Sequence, residues 1–218
     1  MHRFLYFHGF ASGPGSQKAQ VFKRRFEAKG IDLVIPDLEG GDFQTLTISR
    51  QMKVIKGLLA DHPKDSFALI GSSMGGYLAA LTAHTSKQVE GMYLMAPGFN
   101  FLKRWRSVWE KGDAVNAPRA SVLKVFNYRH NKLMSLDSNI FSDAEVWDAM
   151  PLTQTIPTRI VHGIHDDTVP IEESRKFVKL AKDRECVELD DDHSLLKSVD
   201  WIVEDCLGFF GSRGFFTV

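Results

Sequence analysis

Short apolar runs alternate along this chain with longer segments whose apolar side chains recur every three to four positions. The short runs Arg3–Phe7, Ile31–Ile35, Phe67–Ile70, Val89–Met95, Arg159–Val161 and Cys186–Leu189 read as strands. Between them, Ser16–Lys29 carries Ala19, Val21, Phe22 and Phe26 at helical spacing and is closed by Gly30. Further helices are expected over Leu46–Asp61, from Gly76 through Ala83, over Glu172–Lys182 and over Leu195–Phe209. Strand–helix alternation predicts an α/β fold, a mostly parallel central sheet of about six strands with helices on both faces. In such sheets ligands gather outside the carboxyl ends of the strands.

The interval 99–156 breaks this rhythm. Phe99–Trp109 has the pattern of an amphipathic helix, and Val122–Met134 resembles a hairpin turning near Arg129–Asn131. The stretch is too long for a plain loop in a compact domain. It is expected to be a lid inserted into a single domain spanning 1–218, since a chain of 218 residues can bury one large core. Phe99, Phe101, Leu102, Trp105 and Trp109 would then line an apolar substrate pocket beneath it; otherwise they only pack the lid.

Composition narrows the function classes. Hydrophobic content is 44%, and 27 basic residues balance 27 acidic ones, so neither a nucleic-acid partner nor an anionic membrane surface is indicated. Cys186 and Cys206 form no metal or redox motif and read as buried reduced thiols. The start, Met1-His2-Arg3-Phe4-Leu5-Tyr6, is unlike a signal peptide, and no run of about 18 apolar residues exists to span a membrane. A cytoplasmic location is the expectation.

The chemistry concentrates at Gly71-Ser72-Ser73-Met74-Gly75, placed between a strand and a helix. A serine there sits on a very tight turn, and glycines two residues to either side remove the β-carbons that would clash. Only Ser73 has both glycines; Ser72 is read as a hydrogen-bonding neighbour. A serine hydroxyl needs a base, and the base an orienting carboxylate. After the strand at 159–161 comes His162-Gly163-Ile164-His165-Asp166-Asp167, where Asp166 is the chosen acid and Asp167 the alternative. After the last strand, Asp190-Asp191-Asp192-His193-Ser194 offers His193 as the base. His162 and His165 compete, but they lie too near Asp166 to face Ser73 across a site and still be held by that acid.

Acyl transfer also needs N–H donors aimed at the developing oxyanion. The natural pair is the backbone N–H of Met74 and that of Phe10, in the loop after the first strand, with His8 bracing that loop. His162, His165 and Asp166 lack the spacing of a metal motif, and Gly13-Pro14-Gly15 lacks the lysine of a phosphate loop. No cofactor is implied.

Together, His8-Gly9-Phe10, the 71–77 elbow, His162–Pro170 and Asp192-His193-Ser194 resemble the α/β-hydrolase superfamily. The loop Phe7–Ala19 is similar to small intracellular bacterial esterases, and the elbow with His162–Pro170 resembles palmitoyl-protein thioesterase and acyl-glucuronide esterase relatives. The resemblance implies Ser73 as nucleophile, Asp166 as acid, His193 as base, and Phe10 and Met74 as oxyanion donors. It departs from larger relatives in starting at the strand before the oxyanion loop, so their antiparallel edge strands are expected to be missing. The expected activity is cleavage of a small-molecule carboxylic ester or thioester. A C–C bond hydrolase, a perhydrolase, a small peptidase or a silent binding protein of the same fold are the alternatives, and oligomeric state is left open.

Overall fold

The computed structural model describes residues 2–111 and 121–216. Its strands are β1 (His2–Phe7), β2 (Leu33–Val34), β3 (Ser66–Ser72), β4 (Val89–Met95), β5 (Val122–Asn127), β6 (Lys132–Asp137), β7 (Thr158–Gly163) and β8 (Arg184–Leu189). The helices are α1 (Gln17–Glu27), α2 (Ile48–Ala60), α3 (Met74–Thr85), α4 (Phe101–Lys111), α5 (Asn139–Asp148), α6 (Ile171–Val178) and α7 (Val199–Gly211). A six-stranded sheet runs β2-β1-β3-β4-β7-β8, and each of these pairings is parallel.

Side-chain alternation sorts the core into two layers. Phe4 and Tyr6 of β1 and Ala68 and Ile70 of β3 face α1 and α7, where Phe22, Phe26, Val203 and Phe210 meet them. Leu5, Phe7, Phe67 and Leu69 point to the opposite face, against Ile55 and Leu59 of α2 and Leu78 and Leu81 of α3. Helix α3 is buried from Met74 through Ala83, so its helical face cannot alternate with solvent. Its small residues let it lie close on the sheet.

The registers align the strand ends. Phe7 pairs with Gly71, Ser72 with Met95, Met95 with Val161, and Gly163 with Leu189. The loops after β1, β3, β4, β7 and β8 therefore leave the sheet along one edge.

Between β4 and β7 lie α4, an antiparallel β5–β6 hairpin and α5; positions 112–120 of the expected insertion lie outside the described residues. The expected helix and hairpin are both present, but α5 was not anticipated, although Ile140, Phe141, Ala144 and Trp147 form a buried helical stripe. The hairpin is fastened to the loops after β1 and β2. Tyr128 N–H donates to the Ala11 carbonyl at 2.8 Å, Arg129 pairs with Asp37 at 2.8 Å, and Asn127 Nδ2 donates to the buried Glu39 at 3.3 Å.

Other boundaries also moved. Helix α7 starts at Val199 rather than near Leu195, because 191–198 is held as a turn, with Leu195 at φ 53° and Ser198 N–H donating to Asp191. Cys206 is buried as expected, whereas Cys186 is only partly so, because β8 is an edge strand. Burial still pushes the Cys186 thiol up to about 11. Among the described residues no helix is long and apolar enough to cross a membrane.

Candidate active site

Strand β3 ends at Ser72 and α3 begins at Met74, which leaves Ser73 alone on the turn at φ 54°, ψ −119°. A non-glycine residue holds such a conformation only where its surroundings enforce it. Here they do. A β-carbon on Gly71 would come 2.4 Å from the Gly75 carbonyl oxygen, and one on Gly75 would come 2.0 Å from the Phe7 oxygen. The backbone of β1, the turn and the first turn of α3 are thus in direct contact. Ser72 is buried beside Tyr6, whereas Ser73 stands on the turn.

His193 Nε2 lies 2.9 Å from Ser73 Oγ, and His193 Nδ1 lies 2.7 Å from Asp166 Oδ2. The His193 loop is folded locally: Asp192 Oδ1 accepts from Ser194 N–H, and the Asp191 carboxylate accepts from Asp192 and Ser198 N–H. Gly163 admits this loop, since a β-carbon there would meet the Asp191 carbonyl at 2.3 Å.

The Asp166 side chain has no solvent exposure. Thr168 and Val169 N–H donate to its Oδ1 at 2.9 and 2.7 Å, while His193 and His162 approach its Oδ2 at 2.7 and 3.0 Å. Burial pushes the carboxyl up, but hydrogen bonds from His162, His193 and Val169 outweigh it and hold the group well below the usual carboxylate range. Asp167 stands exposed and accepts from the Thr168 hydroxyl at 3.2 Å. His165 turns outward to Asp190 at 2.9 Å. His162 meets Asp166 from inside the protein and not from the Ser73 side.

Met74 opens α3 and has no preceding helical carbonyl to bond. Among the described residues neither its N–H nor that of Phe10 has an acceptor. Gly9 packs against Ser73, with its β-carbon direction 3.5 Å from Ser73 Cβ, which brings the loop after β1 alongside the elbow. His8 secures that loop: its Nε2 accepts the Leu38 N–H at 3.2 Å, so Nδ1 carries the proton given to the Gly9 carbonyl at 3.0 Å. Burial keeps this imidazole below its ordinary pKa.

The five expected pocket residues separate. Trp105 and Phe101 set their rings 5.5 and 6.2 Å from that of Phe10. Phe99 stacks on Phe177 at 4.5 Å and lines a cavity of about 230 Å³ with Tyr77, Trp147, Met150 and Leu152. Leu102 is buried at a second groove beside Phe141, and Trp109 also packs on Phe141.

Three features escaped the sequence reading. The Tyr77 hydroxyl, one turn beyond Ser73, donates to Asp148 at 2.6 Å, and burial raises that carboxyl above its ordinary value. Lys18 of α1 is lowered to about 8 by burial, against the opposing pull of Asp191, Asp166 and Asp192. Gly98 donates its N–H to the Ser73 carbonyl at 2.8 Å, and its β-carbon direction points 3.2 Å from the Met74 nitrogen. The Pro97-Gly98 pair in the loop after β4 was the available signal for Gly98. Nothing local marks the other two.

Residues 3–210 match the model of a family described as Uncharacterised protein family (UPF0227). The chain belongs to that family. Among solved structures, α/β hydrolase domain-containing protein 10 from mouse superposes with a TM-score of 0.82 at 17% identity, covering 97% of this chain and 90% of that one. Est1E from Butyrivibrio proteoclasticus with ferulic acid bound gives 0.79 at 18% identity, covering 97% and 89%. A structure from the metagenome-derived lipolytic enzymes LipS and LipT gives 0.73 at 17% identity, covering 97% and 94%. The UPF0227 chain therefore has the α/β-hydrolase fold.

Proposed function

We propose that this UPF0227 protein is a serine hydrolase that cleaves carboxylic esters or thioesters through an acyl-enzyme. The observation that carries this reading is the continuous chain Ser73 Oγ–His193 Nε2, His193 Nδ1–Asp166 Oδ2 at 2.9 and 2.7 Å, hung on a strained elbow. Ser73 Oγ attacks the substrate carbonyl carbon as its proton passes to His193 Nε2. Asp166 holds the imidazole with Nδ1–H toward itself and stabilises the imidazolium. The oxyanion takes the open N–H groups of Met74 and Phe10. The tetrahedral species collapses as His193 protonates the leaving alcohol or thiol. Water then repeats the sequence on the acyl-Ser73 ester.

The 99–156 insertion acts as the lid. Phe101 and Trp105, packed on Phe10, form the apolar wall nearest the oxyanion donors, and Phe99 leads toward the cavity beside Tyr77. Est1E, of like fold, has ferulic acid bound. Each added acyl methylene that such a wall buries should contribute about 0.8 kcal/mol until the pocket is full, read as kcat/KM along a p-nitrophenyl ester series.

A fluorophosphonate probe tests the reading. The purified protein should be labelled at Ser73, as located by peptide mass spectrometry, and Ser73→Ala should take no label. Absence of labelling, or labelling that survives the substitution, rejects it. Gly98→Ala adds a finer check. Its methyl group would crowd the Met74 nitrogen, so kcat is expected to fall about 10- to 10²-fold with the melting temperature little changed.

A further inference from the structure

We propose that His162 is a positioning residue that fixes the Asp166 carboxylate, with the Ser174 hydroxyl selecting its tautomer. The inference rests on the reading of Ser73, His193 and Asp166 given above.

The two oxygens of Asp166 are held differently. Both backbone donors, Thr168 and Val169 N–H, go to Oδ1. Oδ2 is the oxygen that His193 uses, and among the described residues the other donor within reach of it is His162 Nε2 at 3.0 Å. Two imidazoles therefore share one carboxylate oxygen. One ring is partly exposed and faces Ser73; the other is fully buried on β7.

The hydrogen bonding of His162 decides which of its nitrogens bears a proton. Val169 C=O lies 2.9 Å from Nε2 and can only accept, so Nε2 must carry the hydrogen. Asp166 Oδ2 lies 3.0 Å from the same nitrogen, beside the N–H that Val169 C=O accepts. In the neutral ring Nδ1 then accepts the Ser174 O–H at 2.8 Å, and the hydroxyl holds the imidazole with its donor edge toward the acid. The Val169 and Ser174 bonds satisfy the ring by themselves. The contact with Asp166 is extra to that, and it falls on the oxygen that orients the base.

The mounting is rigid. His162 sits in β7 between β4 and β8, opposite Glu188, which is paired with Arg175; Ser174 lies on α6 and is fully buried. A carboxylate pinned on both oxygens cannot rotate about its Cβ–Cγ bond when His193 becomes charged, and misplacement by even 1 Å can cost about 10²-fold in rate.

The test compares His162→Phe, His162→Gln and Ser174→Ala with the wild type on p-nitrophenyl acetate. The low-field proton resonance of the His193–Asp166 hydrogen bond is recorded for each. Phe keeps the ring shape without the donor, and its kcat should fall about 10²-fold with KM held within about twofold. Its low-field resonance should shift. Gln places an amide N–H near the Nε2 position and should regain at least about tenfold of the loss. Ser174→Ala should lower kcat by a few-fold and move the same resonance, and it serves alone if His162→Phe does not fold. A folded His162→Phe with kcat within about threefold of wild type, or a Gln variant as slow as Phe, overturns the proposal. So does a Ser174→Ala variant with an unmoved resonance and full kcat. Failure of the underlying serine-hydrolase reading is seen separately, as absence of fluorophosphonate labelling at wild-type Ser73.

Discussion

Asp166→Asn is expected to lower kcat by about 10⁴-fold while the chain still folds. An asparagine must place its carbonyl oxygen where Thr168 and Val169 N–H converge, because an amide NH₂ cannot accept them. The NH₂ then occupies the Oδ2 position and points at both His193 Nδ1 and His162 Nε2. His193 has to accept at Nδ1, which shifts its proton to Nε2, facing Ser73 Oγ. A base already protonated on that side cannot take the serine proton. At His162 the new NH₂ meets an N–H that Val169 C=O prevents from leaving, so stability falls as well. Steady-state kinetics checks the first effect. Asp167→Asn should leave kcat within about twofold, because Asp167 is exposed; a reversed ranking would move the acid role to it.

The same substitution has a pH signature. The folded Asp166 carboxyl lies well below its unfolded value near 3.9, since the hydrogen bonds of His162, His193 and Val169 outweigh its burial. A depressed pKa contributes stability that is fully present above the unfolded value and is lost as pH falls through the folded one. The difference in melting temperature between wild type and Asp166→Asn should therefore be large at pH 6 and narrow on acidification below about pH 4.

Gly75→Ala is expected to destabilise the protein by more than about 4 kcal/mol and to prevent its accumulation as a soluble fold. The added methyl would stand 2.0 Å from the Phe7 oxygen, 2.4 Å from the Phe7 carbon and 2.7 Å from the His8 oxygen. All three are backbone atoms, so no side chain can swing aside. Relief requires parting the end of β1 from α3, which breaks the edge that presents the loop after β1 to Ser73. Gly57→Ala is the control. Gly57 lies in α2 with nothing within 4 Å of its β-carbon direction, so alanine there should stabilise the protein by about 0.5–1 kcal/mol. The soluble yield of Gly75→Ala beside the wild type checks the first effect, and urea unfolding of Gly57→Ala checks the second.

Much of this molecule was legible one segment at a time. Val89–Met95 is a strand to the residue, because an apolar run bounded by turn formers and buried on both faces has few other uses. The elbow was legible for the same reason: the clash that forbids a β-carbon at positions 71 and 75 arises within a few residues of Ser73 and across one neighbouring strand. That Ser73, Asp166 and His193 each follow a strand was read from the alternation, and the rule that ligands gather outside the carboxyl ends of such strands placed them on one edge.

Contacts between distant positions were not legible. Pattern alone could not separate Phe101, which lies against Phe10, from Phe99, which stacks on Phe177, nor show that Trp105 bridges Phe10 and Phe141 while Trp109 packs on Phe141. Nor could it place Tyr77 on Asp148, 71 residues away. His162 looked like a competitor for the base because spacing measures distance along the chain. The fold turned it to the far side of Asp166, where Ser174 and Val169 hold its donor edge. Hydrophobic periodicity and turn sterics are local, so the sequence alone determined the sheet, the elbow and the residues that reach its edge. Hydrogen-bond partnership depends on the direction of side chains brought together by the registers of five parallel pairings, and only the tertiary structure decided it.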